Sequence, residues 1–88
     1  MKTLLTALAA SLTLAGAASA KDKCNVPVAD WQPRALLRIK LEGEGWRIRS
    51  IRPEDGCYEA NAVNDKGQTL DAFFDPKNFR PVEVTIEP

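Results

Sequence analysis

An alternating stretch in the middle of the chain limits the fold more than any other feature. Within residues 56–63, the side chains at Tyr58, Ala60 and Ala62 are apolar or aromatic, whereas Glu59 and Asn61 between them are polar. A period of two is typical of a β-strand with one buried face and one solvated face. The stretch therefore predicts the middle strand of a small antiparallel sheet.

The turn after this strand fixes the register of the next one. If Asn64 faces Gln68, the three-residue loop places Gly67 at the left-handed position that such hairpins require. This register pairs the inward positions of the two strands: Ala62 with Leu70, Ala60 with Ala72, and Tyr58 with Phe74. A slip by one residue would put the members of each pair on opposite faces. We therefore expect this hairpin to pair in the register given.

A preceding strand is predicted from the alternation of apolar and basic residues at Trp46, Arg47, Ile48 and Arg49. In an even register, Trp46 lies opposite Ala62 and Ile48 lies opposite Ala60. Ile51 is out of phase in this arrangement, and a β-bulge near Ser50 would return it to the core.

Residues 33–42 predict a helix that covers the inward face of the sheet. Pro33 suits a first helical turn, and Gly43 or Gly45 ends the helix. Leu37 and Leu41 lie one turn apart with Leu36 beside them, which gives an apolar stripe. Trp31, just before the helix, is expected to close one end of the core rather than to bind a ligand.

A fourth strand is predicted at the end of the chain, where Val82, Val84 and Ile86 alternate with polar residues. Two placements fit this pattern. The strand either pairs at the edge of the sheet or covers Phe73.

The first 20 residues predict a secretory signal peptide. Lys2 precedes an apolar run from Leu4 to Ala15, and small residues at Ala18 and Ala20 suit a signal peptidase. We expect residues 21–88 to form one domain that is periplasmic or secreted, without membrane insertion after signal removal. Since the whole chain has 12 basic and 12 acidic residues and the signal contains only Lys2, the domain is nearly neutral. Such a charge gives no reason to expect a nucleic-acid partner.

Cys24 and Cys57 predict a disulfide. Two cysteines in a short exported chain usually pair, and this loop would gain about 3 to 4 kcal/mol in the chain-entropy model. The alternative is a redox or metal-binding pair. It is disfavoured because the spacing is not Cys-x-x-Cys and the chain has no histidine. We expect no metal and no cofactor.

Several short motifs occur in a characteristic order: Cys24, Pro27, Trp31, a leucine-containing helix, Gly45-Trp46, Gly56-Cys57-Tyr58-Glu59, Asp65-Lys66-Gly67 and Phe74-Asp75-Pro76. This order resembles the small exported members of the PepSY domain family. The resemblance implies an α+β fold in which one N-terminal helix packs on a three- to four-stranded antiparallel sheet. PepSY domains occur in propeptides of secreted metallopeptidases and in small periplasmic proteins, with control of peptidase activity as their proposed role. The resemblance supplies no catalytic residues, and Phe79 stands where many members have glycine.

The predicted domain lacks the usual nucleophilic groups. Ser50 is its serine, and without histidine a Ser–His nucleophile is excluded. Acid–base candidates remain at Glu54, Asp55, Asp71 and Asp75, but an acidic turn is usually only solvated. The spacing of the acidic residues matches no calcium loop. We therefore predict a protein that is not an enzyme.

The outward side chains of three strands form a predicted protein-binding face, which consists of Arg47, Arg49, Glu59, Asn61, Asp71 and Phe73. In the register above, Arg49 faces Glu59, which faces Phe73. Arg47 likewise faces Asn61, and Asn61 faces Asp71. Cross-strand charge pairing is the simpler explanation of this pattern. An outward aromatic side chain among charges is, however, typical of a recognition surface.

Two functions from different classes follow from these observations. The first is a small periplasmic binding module that regulates or inhibits a peptidase, with an unidentified protein as its partner. The alternative is a structural or stress-related envelope protein that self-associates, for example as a homodimer. It would use an open sheet edge or the helix margin at Ile39.

Overall fold

The computed structural model describes residues 22–88. In chain order it contains a 3-10 helix at Val28–Asp30, helix α1 at Arg34–Gly43, and strands β1 at Arg47–Glu54, β2 at Cys57–Val63, β3 at Thr69–Phe74 and β4 at Pro81–Ile86. The four strands form one antiparallel sheet in sequence order. With α1 packed against it, this architecture confirms the predicted α+β fold. The predicted signal peptide lies outside the described residues.

The hairpin of β2 and β3 has the predicted register. Its inward pairs are Ala62 with Leu70, Ala60 with Ala72, and Tyr58 with Phe74. All six side chains are buried. The backbone N–H of Asn64 donates to the carbonyl of Gln68 at 2.9 Å, and Gly67 has a φ of 81°. A loop closed by glycine and the burial of one face are therefore enough to fix the register of β2 and β3.

The pairing of β1 with β2 corrects the prediction by two positions. Ile48 lies opposite Ala62, and Ile51 rather than Ile48 lies opposite Ala60. The predicted bulge is present between Ile48 and Ser50, and it returns Ile51 to the core, where it is 6% exposed. Trp46 precedes the strand and packs against the core.

The physical reason for this correction is the turn between β1 and β2. Glu54 pairs with Cys57, so the loop consists of Asp55 and Gly56, which have φ values of 51° and 76°. Two left-handed residues form the tight turn that matches the twist of paired strands, whereas the predicted register leaves only Glu54 for the loop. A Cβ atom on residue 56 would also clash with the Cys24 carbonyl oxygen, so glycine is required there.

Helix α1 packs against the β1 side of the sheet. Leu37 and Leu41 are buried, at 0% and 1% exposure, but Leu36 is 45% exposed, so its predicted place in the apolar stripe is wrong. The guanidinium of Arg34 donates to the carbonyl of Ile51 on β1 at 2.8 Å. Because successive helical residues are rotated by about 100°, Leu36 points away from the strand that Leu37 covers.

The last strand pairs as an edge strand, which decides between its two predicted placements. Val84 lies opposite Ala72, and Ile86 lies opposite Leu70. The turn before β4 contains Phe79, which is left-handed with a φ of 63° and buries its ring to 7% exposure. Burial of the ring offsets the cost of a backbone conformation that suits glycine.

The N-terminal segment is fastened to the sheet at two places. Cys24 and Cys57 form the predicted disulfide, with a Cα–Cα distance of 5.1 Å. Trp31 packs edge-on against Tyr58, with the ring centroids 5.1 Å apart, and its indole N–H donates to the Val26 carbonyl at 2.8 Å. Trp31 therefore closes one end of the core, as predicted.

Candidate protein-binding face

The predicted face lies on the side of the sheet opposite to α1, which we call the outer face. Its pairs between β2 and β3 are as predicted: Glu59 lies opposite Phe73, and Asn61 lies opposite Asp71. These four side chains are half-buried. They form the centre of the outer face.

The two predicted arginines lie elsewhere than expected. Arg47 is opposite Val63 rather than Asn61, and it is exposed at one end of β1. Arg49 falls in the bulge, so it has no direct partner on β2 and does not face Glu59. The Asp55-Gly56 turn and the bulge together cause both displacements, since they change the register of β1.

Arg52 occupies the position that the prediction gave to Arg49. It lies opposite Glu59, and its Nε is 3.4 Å from the Glu59 Oε1. The side chain of Arg52 is 66% exposed and that of Glu59 is 15% exposed. Asp55-Gly56 is the sequence signal that would have identified Arg52, because this dipeptide favours a two-residue hairpin turn.

A polar row crosses three strands beside this pair. The Asn61 amide donates to the Asp71 Oδ1 at 2.9 Å, and the Arg49 guanidinium donates to the Asn61 Oδ1 at 3.5 Å. The row brings together three residues of the predicted face.

Phe73 is covered by a side chain that sequence reasoning missed. The Lys23 ammonium lies 4.8 Å from the centroid of the Phe73 ring. It also lies 3.2 Å from the Asp55 Oδ2 and 3.8 Å from the Glu83 Oε1. The hydrogen bond to Asp55 and then the charge of Glu83 raise the pKa of Lys23 above its ordinary value. The disulfide at the neighbouring Cys24 holds Lys23 here, and no local motif indicates such a contact.

Three of the four acidic residues considered for chemistry have structural roles. Asp55 pairs with Lys23, and Asp71 accepts from Asn61. Asp75 accepts the backbone N–H of Lys77 at 2.8 Å, which shapes the turn before β4. Within residues 22–88 there is no pocket, no cluster of three or more metal-ligating side chains, and no helix long and apolar enough to cross a membrane.

Comparison with known families identifies one match. Residues 4–85 match the family model described as "Peptidase propeptide and YPEB domain", a PepSY model. No curated protein and no solved structure gives a significant match. The match covers the disulfide, the helix and nearly all of the sheet, and it confirms the family predicted from the sequence motifs.

Proposed function

Because this chain belongs to the PepSY family of peptidase propeptide and YPEB domains, we propose that it binds a peptidase and restrains its activity. The family match is the observation that carries the proposal, since PepSY domains are generally propeptide-like regulatory modules rather than catalytic ones. PepSY domains are also typically extracellular or periplasmic, and the disulfide suits an oxidising compartment. We therefore propose that the protein acts after export.

The outer face is the surface that we assign to the peptidase. Arg49 and Arg52 lie on β1, whereas Asp71 lies on β3 and Glu83 on β4, so the face is basic on one side and acidic on the other. A partner with the opposite polarity would be oriented by this difference, because complementary charge guides encounter and register. Phe73, on β3 beside Asp71 and Glu83, would supply the aromatic contact once the partner displaces Lys23.

An inhibition assay tests both the activity and the surface. The purified disulfide-bonded protein is added to the envelope and secreted fractions of the producing cell, and hydrolysis of fluorescent casein is followed. We expect wild type to lower hydrolysis in proportion to its concentration. A variant with both Arg49→Ala and Phe73→Ala should lose most of this effect, because it removes the aromatic contact and one basic contact.

The matched control carries Arg38→Ala and Ile39→Ala on α1, on the opposite side of the sheet. It should inhibit as wild type does. If wild type leaves hydrolysis unchanged in every fraction, the proposed function is wrong. If the outer-face variant inhibits as well as wild type, the function stands but the assigned surface is wrong.

A further inference from the structure

Strand β4 exposes apolar side chains along an edge of the sheet. Val82, Val84 and Ile86 are 47%, 49% and 49% exposed, and every residue from Pro81 to Ile86 is exposed. Proteins usually protect edge strands with lysine, internal proline, bulges or a covering segment. Pro81 and a bulge at Val82 lie at the start of β4, whereas residues 83–86, Glu-Val-Thr-Ile, have neither lysine nor proline. Such an edge is suited to pairing with another strand.

The backbone groups at the centre of this edge point outward. The N–H of Glu87 donates to the carbonyl of Thr69 on β3 at 2.9 Å. Because hydrogen-bonded and non-hydrogen-bonded positions alternate along an antiparallel strand, Thr85 also directs its backbone groups toward β3. Val84 and Ile86 therefore direct their N–H and C=O groups away from the sheet, where another strand can bond to them.

The apolar and the polar side chains of β4 lie on opposite faces of the sheet. Val84 and Ile86 lie opposite Ala72 and Leu70, on the face that carries α1, whereas Glu83 lies opposite Phe73 on the outer face. Thr85 lies opposite Asp71 and is also on the outer face. An added strand must therefore place apolar side chains on the helix-bearing face and must tolerate a carboxylate on the outer face.

We propose that a second copy of this chain pairs antiparallel with β4, about a two-fold axis at Val84. In this register Val84 faces Val84 of the second copy and Glu83 faces Thr85, while Ile86 lies beside the bulge at Val82. The side chains of Val84 and Ile86 from both copies then lie on one face, and no carboxylate faces another within the strand. Both helices lie on the same side of a continuous eight-stranded sheet.

Charge and side-chain direction favour this register over the registers that are slipped by one or two residues. A slip by one residue would oppose apolar to polar positions and turn the side chains to opposite faces. A slip by two residues would place Glu83 opposite Glu83 in one direction and opposite Glu87 in the other, and like charges directly opposite are destabilising. The sequence of β4 is thus complementary to itself in this register and not when slipped by one or two residues, and self-complementarity is what a two-fold interface requires.

Sedimentation of a matched pair of variants tests the dimer. Wild type is expected to change from monomer to dimer between about 1 μM and about 1 mM, and Val84→Lys should weaken association by at least about tenfold. Two added lysines would meet at the axis of the Val84→Lys dimer. Ile39→Lys is the control, because it makes a similar change at a 64% exposed position on α1.

Each outcome of this experiment decides the proposal. Retained association in Ile39→Lys together with its loss in Val84→Lys supports pairing through β4. Loss in Ile39→Lys alone would move the contact to the helix and overturn the proposal. Wild type that stays monomeric throughout would also overturn it. Circular dichroism confirms that both variants are folded.

Cross-linking tests the register. Val84→Cys places two thiols opposite each other across the proposed axis, at the Cα separation of about 5.5 Å that suits a disulfide. Thr85→Cys instead faces Glu83 of the second copy. After mild oxidation, we expect covalent dimer from Val84→Cys and little from Thr85→Cys on a non-reducing gel. Equal yields from the two variants would contradict the axis at Val84.

Discussion

The outward backbone N–H and C=O groups of the two edge strands, β1 and β4, have different surroundings. On β1, Glu54 and Cys57 close the turn, so alternation directs the Ile51 carbonyl outward, where Arg34 donates to it at 2.8 Å. Pro53 has no N–H, and the bulge after Ile48 interrupts the ladder. On β4, Pro81 and a bulge at Val82 lie at the start of the strand, but among residues 22–88 none of these devices meets the outward groups of Val84. The comparison shows that the β1 edge is closed, whereas the β4 edge is open from Glu83 to Ile86. Pairing through β4 would therefore stop at two copies rather than extend into a fibre.

The largest predicted difference between the β1 side and the β4 side of the sheet is the stability lost when a side chain is truncated. Leu37→Ala, beneath the helix on the β1 side, should lower the free energy of unfolding by about 2 to 5 kcal/mol, because it leaves a cavity in the core. Val84→Ala should lower it by about 1 kcal/mol or less, since the side chain is half exposed and only strand propensity is lost. Urea denaturation at a concentration where the protein is monomeric measures both values.

Equal losses in the two variants would contradict the comparison. They would mean that Val84 is covered in the monomer as well as Leu37 is. The side chain would then be unavailable to a second copy, and the open edge would have to be redefined.

A smaller effect is predicted for Arg34→Met, which should open the β1 edge. Methionine keeps an apolar stem but removes the donor to the Ile51 carbonyl, so we expect a loss of about 1 kcal/mol. We also expect species larger than a dimer at high concentration in sedimentation, because both edges then accept strands. Arg38→Met is the control, since its guanidinium pairs with Glu42 on the same helix at 3.3 Å. Species no larger than a dimer from Arg34→Met would show that the bulge and Pro53 close this edge without Arg34.

The β2–β3 hairpin and the face of each strand position were predictable from the sequence. In that hairpin, one loop glycine and an unbroken alternation leave a single register, so Tyr58 and Phe74 were placed correctly. On β1 the same alternation identified Ile48 as inward but misplaced its partner. A period of two predicts which face a residue lies on and does not predict which residue it pairs with; the Asp55-Gly56 turn decides that.

Contacts made through distant segments were not predictable in the same way. Leu36 fits the apolar stripe of α1, but its exposure depends on which side of the sheet the helix occupies, and Arg34 influences this through its bond to β1. Lys23 reaches Phe73 only because the disulfide holds the N-terminal segment against β2. The candidate face was therefore predicted in its central residues, whereas Arg52 and Lys23 depend on tertiary geometry.

Lys23 gives the smallest predicted effect and joins the outer face to the open edge. Its ammonium contacts Asp55 and Glu83, and Glu83 lies on β4. The pKa of Lys23 is raised above 10.5, first by the hydrogen bond to Asp55 and then by the charge of Glu83. A raised pKa in the folded state means that the charged form favours folding. The charged lysine contributes its full stabilisation of the fold below pH 10.5. This stabilisation is lost as the pH rises through the higher pKa of the folded state.

We therefore expect Lys23→Met to lower the urea midpoint slightly, by an amount that is constant at neutral pH. The difference from wild type should shrink as the pH rises above 10.5, because wild type then loses the same charge. Lys23→Arg is the control, since arginine keeps its charge throughout this range and should retain its midpoint relative to Lys23→Met. A difference between wild type and Lys23→Met that persists at high pH would assign the effect to packing on Phe73 instead of charge.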